Sequence, residues 1–203
     1  MTSLKKNFIY NVVYQMLLII LPLITAPYIA RTLGAEGVGI YSYTYSVAQY
    51  FLLFAMLGIS NHGNRSIAAV REDDCKLSRT FWSIYSIQAF MYVLAIIAYL
   101  IYLFAFNVDN KTIVAIQFIY VVSGALDISW YFFGTEQFKI TVTRNMIIKI
   151  ATVILMFIFV HNPGDLAKYT VIMAGGTFLS QAYLWTYIFR QVDVVKVNWI
   201  DIK

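Results

Sequence analysis

Four stretches of this chain carry no charged side chain: residues 7–30, 37–64, 80–108 and 169–189. Each is at least as long as the roughly 20 helical residues that cross a hydrocarbon core about 30 Å thick. Lipid offers no hydrogen bonds, so backbone at that depth must pair internally, and runs of this length fold as helices. Two further spans are interrupted by charge: about 112–134 by Asp127, and about 143–161 by Arg144 and Lys149. The rest of the composition agrees. With 61% hydrophobic and 12% charged residues, a chain of 203 has too little polar surface to coat a soluble domain. The expected fold is all-α: a polytopic integral membrane protein with transmembrane helices at about 8–30, 38–60, 80–107, 112–134, 143–161 and 167–189. These six form a single lobe, residues 1–203, with a cytoplasmic loop at 61–79. The first run does not read as a cleavable signal, because it is too long, contains Pro22 and Pro27, and ends in no small-residue cleavage site.

Orientation follows from the basic residues. An inside N-terminus puts Lys5, Lys6, Arg65, Arg71, Lys76, Arg79, Lys139, Arg144, Lys149, Arg190, Lys196 and Lys203 on the cytoplasmic side. Only Arg31, Lys111 and Lys168 fall outside, a split of 12 to 3 among the 15 basic residues. Positive residues concentrate on the cytoplasmic side of membrane proteins, so both termini are expected in the cytoplasm. The net charge of +5 is therefore a topology signal and a possible lipid-headgroup contact. Its scatter gives no nucleic-acid patch.

Little in the sequence points to bond-making chemistry. Cys75 is alone and on the expected cytoplasmic side, which makes it a reduced, inert thiol. His62 and His161 are expected at opposite membrane faces and cannot share a metal. The sequons Asn64-Arg65-Ser66 and Asn110-Lys111-Thr112 are read as chance, the first being cytoplasmic and the second hugging the membrane. There is no phosphate-cradling glycine loop, metal-ligand spacing or nucleophile–base pair. Neither an enzyme nor a cofactor is expected.

The informative residues are polar ones at helical spacing inside the spans. Asn11, Gln15, Pro22 and Thr25 share one face of the first helix; Tyr41, Tyr45 and Gln49 share a stripe of the second, with Met56 further along. Gln117, Tyr120, Gly124, Asp127, Tyr131 and Gly134 form a stripe on the fourth. Such stripes either line a shared hydrated cavity or serve as interhelical hydrogen-bonding glue, and these three are assigned to a cavity. Gln88, Gln181 and the small pair Gly176/Ser180 are assigned to glue. Asp127 is the sharpest residue, since a carboxylate inside a span must face a partner or water. It is either a structural or snorkelling carboxylate or a proton or cation site, with Lys149 as its candidate partner. Arg144 and Lys149 themselves are candidates for snorkelling to the interface.

Three segments in order, "YIARTLGAEGVGIYSY", "LGISNHGNRSIA" and "DISWYFFGTEQFKI", resemble the polysaccharide flippase family, the Wzx-type and teichoic-acid-type exporters of the MOP superfamily. The resemblance rests on an arginine–x–leucine–glycine turn after helix one (Arg31, Leu33, Gly34) with Gly37 and Gly39 following. It rests also on a glycine-ended second helix with a trailing arginine (Gly58, Gly63, Arg65), and on an aromatic–glycine–x–glutamate segment (Trp130, Phe133, Gly134, Glu136). It covers essentially the whole chain. The resemblance implies a MATE-like fold of two six-helix lobes around a cavity of alternating access, in the bacterial inner membrane. It implies a substrate: an oligosaccharide on an undecaprenyl-pyrophosphate carrier, moved from the inner to the outer leaflet. On this sequence Arg31 and Arg65, with Lys149 as a further candidate, would meet the pyrophosphate, because an arginine fork grips phosphate oxygens through paired hydrogen bonds. Tyr41 and Tyr45 would stack on sugars. Gly34, Gly37 and Gly39 would form a tight turn at the outer gate, unless Arg31 simply complements a helix end.

Family members have about twelve to fourteen helices, whereas six are expected here. The chain therefore reads as an N-terminal lobe that needs a second lobe or a second copy to enclose a cavity. Two other functions stay open: a non-transporting scaffold that docks on a glycosyltransferase or polymerase, and a multidrug exporter of the same superfamily. The charge split generates a direct test of orientation. In a Cys75→Ser background, single cysteines at Lys111 and Lys168 should react with an impermeant thiol reagent from outside, and cysteines at Glu72 and Lys139 should not. The reverse labelling pattern would overturn the orientation.

Overall fold

The computed structural model describes residues 2–195 and, in the first helix, the side chains of Met16 and of residue 19 onward. The described residues form seven α-helices and no strand: α1 (Thr2–Met56), α2 (Ile59–Val70), α3 (Asp74–Ala105), α4 (Lys111–Ala125), α5 (Ser129–Gly134), α6 (Phe138–Phe159) and α7 (Leu166–Ile188). Three stretches among them are long and apolar enough to cross a membrane: α3, the pair α4–α5 over Lys111–Gly134, and α6. Together with the comparisons reported below, this makes the chain an all-α membrane protein. α7, at 23 residues, is long enough, but its Thr170, Thr177, Ser180, Gln181 and tyrosines leave it less apolar than those three.

The first two expected helices are the two arms of α1, which meet at Gly34. Its φ of 72° with ψ of 174° lies in a region that only glycine enters cheaply. The bend therefore belongs to this one residue: Gly37 and Gly39, expected to share the turn, are helical. Pro22 and Pro27 sit inside the first arm without ending it. Met16, Ile19, Ile20, Leu23 and Ile24 are exposed there. Further along, the arm meets the bundle through Tyr28, Ile29 and Leu33, which pack on Met156 and Val160 of the α6 end. The Tyr28 hydroxyl donates to the Val160 carbonyl at 2.6 Å.

The expected loop at 61–79 is largely a helix. α1 stops at Met56, Gly58 turns the chain in the left-handed region (φ 77°), and α2 begins at Ile59. Its buried residues Ile59, Gly63 and Ile67 recur every four positions and make one apolar face, which polar composition alone concealed. That face packs on α5 through missing side chains. A Cβ at Gly63 would stand 2.7 Å from the Trp130 ring, and one at Gly134 would stand 2.7 Å from Ile67.

The fourth expected span is broken. Between α4 and α5 the chain leaves helical geometry at Leu126–Ile128, which strands several carbonyls inside an apolar bundle. Each must find a donor. Gln88 of α3, which has no exposed surface, donates Nε2 to the Asp127 carbonyl at 2.9 Å and, more loosely, to those of Gly124 and Ala125. Its Oε1 accepts from the Trp130 indole at 2.9 Å. Trp185 of α7 donates its indole N–H to the Leu126 carbonyl at 3.0 Å. Gln88 is thus glue, as expected, and its partner is a helix break.

α6 and α7 are joined by a short 3-10 turn, Pro163–Asp165. The Asp165 carboxylate pairs with Lys168 (2.7 Å) and accepts the backbone N–H groups of His161 (2.9 Å) and Asn162 (3.0 Å). Lys168, and then those N–H groups, hold its carboxyl down at about 2. A depressed folded pKa contributes stability that is present above the ordinary carboxylate pKa and lost as pH falls towards 2. In detergent, the thermal midpoint of the wild type should fall between about pH 4 and 2, and that of Asp165→Asn should change less over the same range. A parallel fall would remove Asp165 from the acid response. A second measurement addresses the break. Gln88→Leu orphans the Asp127 carbonyl and the Trp130 indole, so it should destabilise by about 1–3 kcal/mol for each group that finds no other partner. An unchanged midpoint would show that water reaches the break.

Candidate functional site

The second arm of α1, α3, α4 and α7 enclose a cleft of about 310 Å³. Two expected stripes converge on it. Tyr45, Gln49 and Met56 come from α1; Tyr120, Gly124 and Asp127 come from α4 and the break beyond it. α3 contributes Tyr92, and α7 contributes Thr177 and Gln181. The walls approach closely because Gly124 has no side chain: a Cβ there would lie 2.2 Å from Leu52 Cδ2 and 2.6 Å from the Tyr92 hydroxyl.

A tyrosine cluster makes one end of the cleft rigid. Tyr41 stacks on Tyr45 (5.7 Å, 8°), and Tyr45 meets Tyr120 edge-on at 5.0 Å. The Tyr41 and Tyr120 hydroxyls share a hydrogen bond of 3.1 Å, and Tyr41 also packs on Tyr169 of α7 at 4.8 Å. Tyr41 is therefore engaged in the wall, and of the two expected sugar-stacking rings only Tyr45 lines the cleft. Gln117 is fully buried behind the wall, donating Nε2 to Thr44 Oγ1 at 3.3 Å.

Asp127 lines the cleft and has no cationic partner among the described residues. Its Oδ1 accepts the Ser129 backbone N–H at 3.0 Å, a turn that starts α5. No ion pair joins it to Lys149, which sits half-buried on α6. Arg31 is exposed one turn before the Gly34 bend, and Arg65 is exposed on α2. None of these three cations lines the cleft, and among the described residues the one carboxylate lining it is Asp127. Pro22 of the first-helix stripe is exposed and Thr25 half-buried, both away from the cleft lining. The Asn11 and Gln15 side chains lie outside the described residues.

Two residues assigned otherwise from sequence belong beside the site. Arg144 does not snorkel. It is 5% exposed, and its guanidinium donates to the Ser180 carbonyl (3.1 Å), to Gln181 Oε1 (3.0 Å) and to Asn145 Oδ1 (2.9 and 3.2 Å). Gln181, read as glue, does bind Arg144, yet it also lines the cleft. The missed signal was an arginine within a span, which must find several acceptors on a neighbouring helix. Gly176 behaves as expected: a Cβ there would stand 2.3 Å from Thr152 Cγ2, so α6 and α7 touch closely.

A second, polar cavity of about 710 Å³ lies at the end of the bundle where the α2–α3 junction, α5 and the segment after α7 meet. Arg71, Glu72, Asp74, Gln137, Arg190 and Asp193 contribute to it. Arg71 is paired with Glu136 at its edge, and Gln137 and Gln191 exchange hydrogen bonds (3.2 and 3.0 Å). Among the described residues, no group of His, Cys, Asp and Glu is placed to hold a metal ion.

Comparison with known proteins agrees with the architecture. The family described as "Polysaccharide biosynthesis protein" matches residues 4–201. Over 204 aligned residues, 98% of this chain is 29% identical to a curated protein of Escherichia coli (strain K12) named "Putative O-antigen transporter". The alignment covers 47% of that relative, so the chain spans about half its length. No solved structure matches significantly. The match over almost the whole chain shows that this protein belongs to the polysaccharide biosynthesis protein family.

Proposed function

We propose that the chain forms one lobe of a polysaccharide exporter that moves a lipid-linked oligosaccharide, carried on undecaprenyl pyrophosphate, from the inner to the outer leaflet of the cytoplasmic membrane. The lobe works with a second lobe or a second copy of itself, spans the bilayer six times with both termini inside, and binds and moves its substrate without breaking bonds. One observation carries the reading: an apolar bundle that devotes an internal cleft to Tyr45, Gln49, Tyr120, Asp127 and Gln181. Polar side chains inside a span are costly unless they face water or a polar ligand, and aromatic faces beside hydroxyl and amide groups suit a sugar. Membership of the polysaccharide biosynthesis protein family supports a polysaccharide cargo.

In this reading the glycan enters the cleft and the pyrophosphate stays with exposed arginines. Arg31 and Arg65 are separated by the second arm of α1, on the order of 30 Å at 1.5 Å per residue, so they serve the outward- and inward-open states in turn. Lys149, half-buried on α6, is left with no assigned contact to substrate. The carboxylate in a cation-free cleft favours one competing reading, export of an amphipathic organic cation, which Asp127 would pair and Tyr45 would face.

Asp127→Asn separates the two. It keeps shape and hydrogen bonding while removing the charge, so folding should survive it. Complementation of a flippase-null strain by a chain carrying both lobes should fall and lose its pH dependence if Asp127 carries a coupling proton or cation. Equal complementation by Asn and wild type across pH would leave Asp127 with the structural role of starting α5. Loss of organic-cation efflux with unchanged polysaccharide export would favour the competing reading.

A further inference from the structure

Gln181 occupies an unusual position between a buried cation and the cleft. Arg144 has five N–H donors and no acceptor, so only the oxygen of the Gln181 amide can face it. The observed contact agrees, Nη1 to Oε1 at 3.0 Å. The same Nη1 donates to the Ser180 carbonyl at 3.1 Å, and Asn145 Oδ1 takes two further N–H groups. Arg144 is thereby fixed between α6 and α7, and it fixes the amide in turn. The Gln181 Nε2 group has no hydrogen bond among the described residues, and Gln181 lines the cleft.

Gln49 lines the same cleft, but two further amides nearby are used differently. Gln88 spends both ends on the α4–α5 break, and Gln117 donates into the wall at Thr44. The Arg144 contact thus orients the Gln181 amide, beside a cleft whose carboxylate, Asp127, only accepts when ionised. A donor pair and a carboxylate without a cation match a neutral sugar, whose hydroxyl and acetamido groups both accept and donate. They do not match pyrophosphate, which would meet Asp127 as a like charge.

We propose that Arg144 is a positioning residue that holds the Gln181 amide with its N–H groups in the cleft, and that Gln181 binds an acceptor oxygen of a neutral sugar residue of the cargo. This rests on the exporter reading given above and names the part of the substrate that the cleft recognises.

The test uses the full chain in detergent, with a neutral N-acetylhexosamine disaccharide and inorganic pyrophosphate as separate probes, read by saturation-transfer NMR titration. Gln181→Glu keeps the shape and strengthens the partner of Arg144, so the fold should hold, which a thermal midpoint verifies. It replaces the donors with acceptors, and disaccharide binding should weaken about tenfold, the scale of one good hydrogen bond with its unpaired partner. Arg144→Lys keeps charge but frees the amide, and should weaken binding several-fold in the wild-type background. In the Gln181→Glu background it should cost nothing further, because the donors it orients are already gone. A purely structural role for Arg144 predicts the same loss in both backgrounds, and that result would overturn the proposal. Undiminished disaccharide binding by Gln181→Glu would overturn it too, while leaving the exporter reading intact. Tighter binding of pyrophosphate than of disaccharide, lost in Gln181→Glu, would assign the cleft to the headgroup instead. No disaccharide binding by wild type would sink the sugar reading itself.

Discussion

Inside a bilayer, a helix cannot be interrupted unless every carbonyl released by the interruption is given a donor, because each orphaned group costs as much as several ordinary contacts supply. This chain interrupts one. The carbonyls of residues 124–127 are met by the Gln88 amide and the Trp185 indole, and Gln88 is itself held by the Trp130 indole. With those donors in place the chain turns between α4 and α5, Ser129 closes on the Asp127 carboxylate, and that carboxylate is left on the cleft. A continuous helix would turn residue 127 by the helical repeat instead of placing it by a turn. The site therefore depends on three side chains that do not line it.

Close packing then brings the walls together. Lipid tails are as apolar as leucine, so helices in a membrane gain little from burying leucines against each other and more from close backbone approach. The glycines show where this happens. Gly63 and Gly134 receive Trp130 and Ile67 where α2 meets α5; Gly124 receives Leu52 and Tyr92 beside the cleft; Gly176 receives Thr152 between α6 and α7. α2, with no span of its own, thereby buttresses α5 and the break from the far side. Near the other end of the cleft the tyrosines of α1, α4 and α7 lock together through rings and hydroxyls.

Much of this was legible in the sequence, and the failures share a cause. Uninterrupted apolar runs fix helices by length, and the spacing of Tyr45, Gln49, Tyr120, Gly124 and Asp127 puts each set on one face; these five line one cleft. Spacing says which residues share a face of one helix. It does not say which helix that face meets. Gln88 and Gln181 looked alike as lone amides in spans, yet one satisfies a break and the other opens onto the cleft. Arg144 looked able to reach the interface, but Ser180, Gln181 and Asn145 offered acceptors nearer. Hydropathy does not reveal α2, because its buried stripe, Ile59, Gly63 and Ile67, includes a glycine and lies among polar residues. Of three glycines in the opening hinge, only Gly34 adopts a backbone that requires glycine.

The distribution of charge links these points to the proposed cargo. Among the described residues one carboxylate, Asp127, lines the cleft, while the buried cation Arg144 does not line it and donates to Ser180, Gln181 and Asn145. Two like charges about 4 Å apart repel by roughly 4 kcal/mol at the effective dielectric typical near a protein surface. A pyrophosphate brought beside an ionised Asp127 would meet that penalty, with no lining cation to offset it. A neutral sugar would not, and its hydroxyls can donate to the carboxylate while its acceptor oxygens meet the Gln181 amide. The exposed arginines that flank the second α1 arm, Arg31 before the bend and Arg65 on α2, do not line the cleft and avoid this conflict. In the exporter reading, the two halves of an amphipathic anionic substrate are therefore sorted by charge: the glycan to the interior, and the pyrophosphate to the rims.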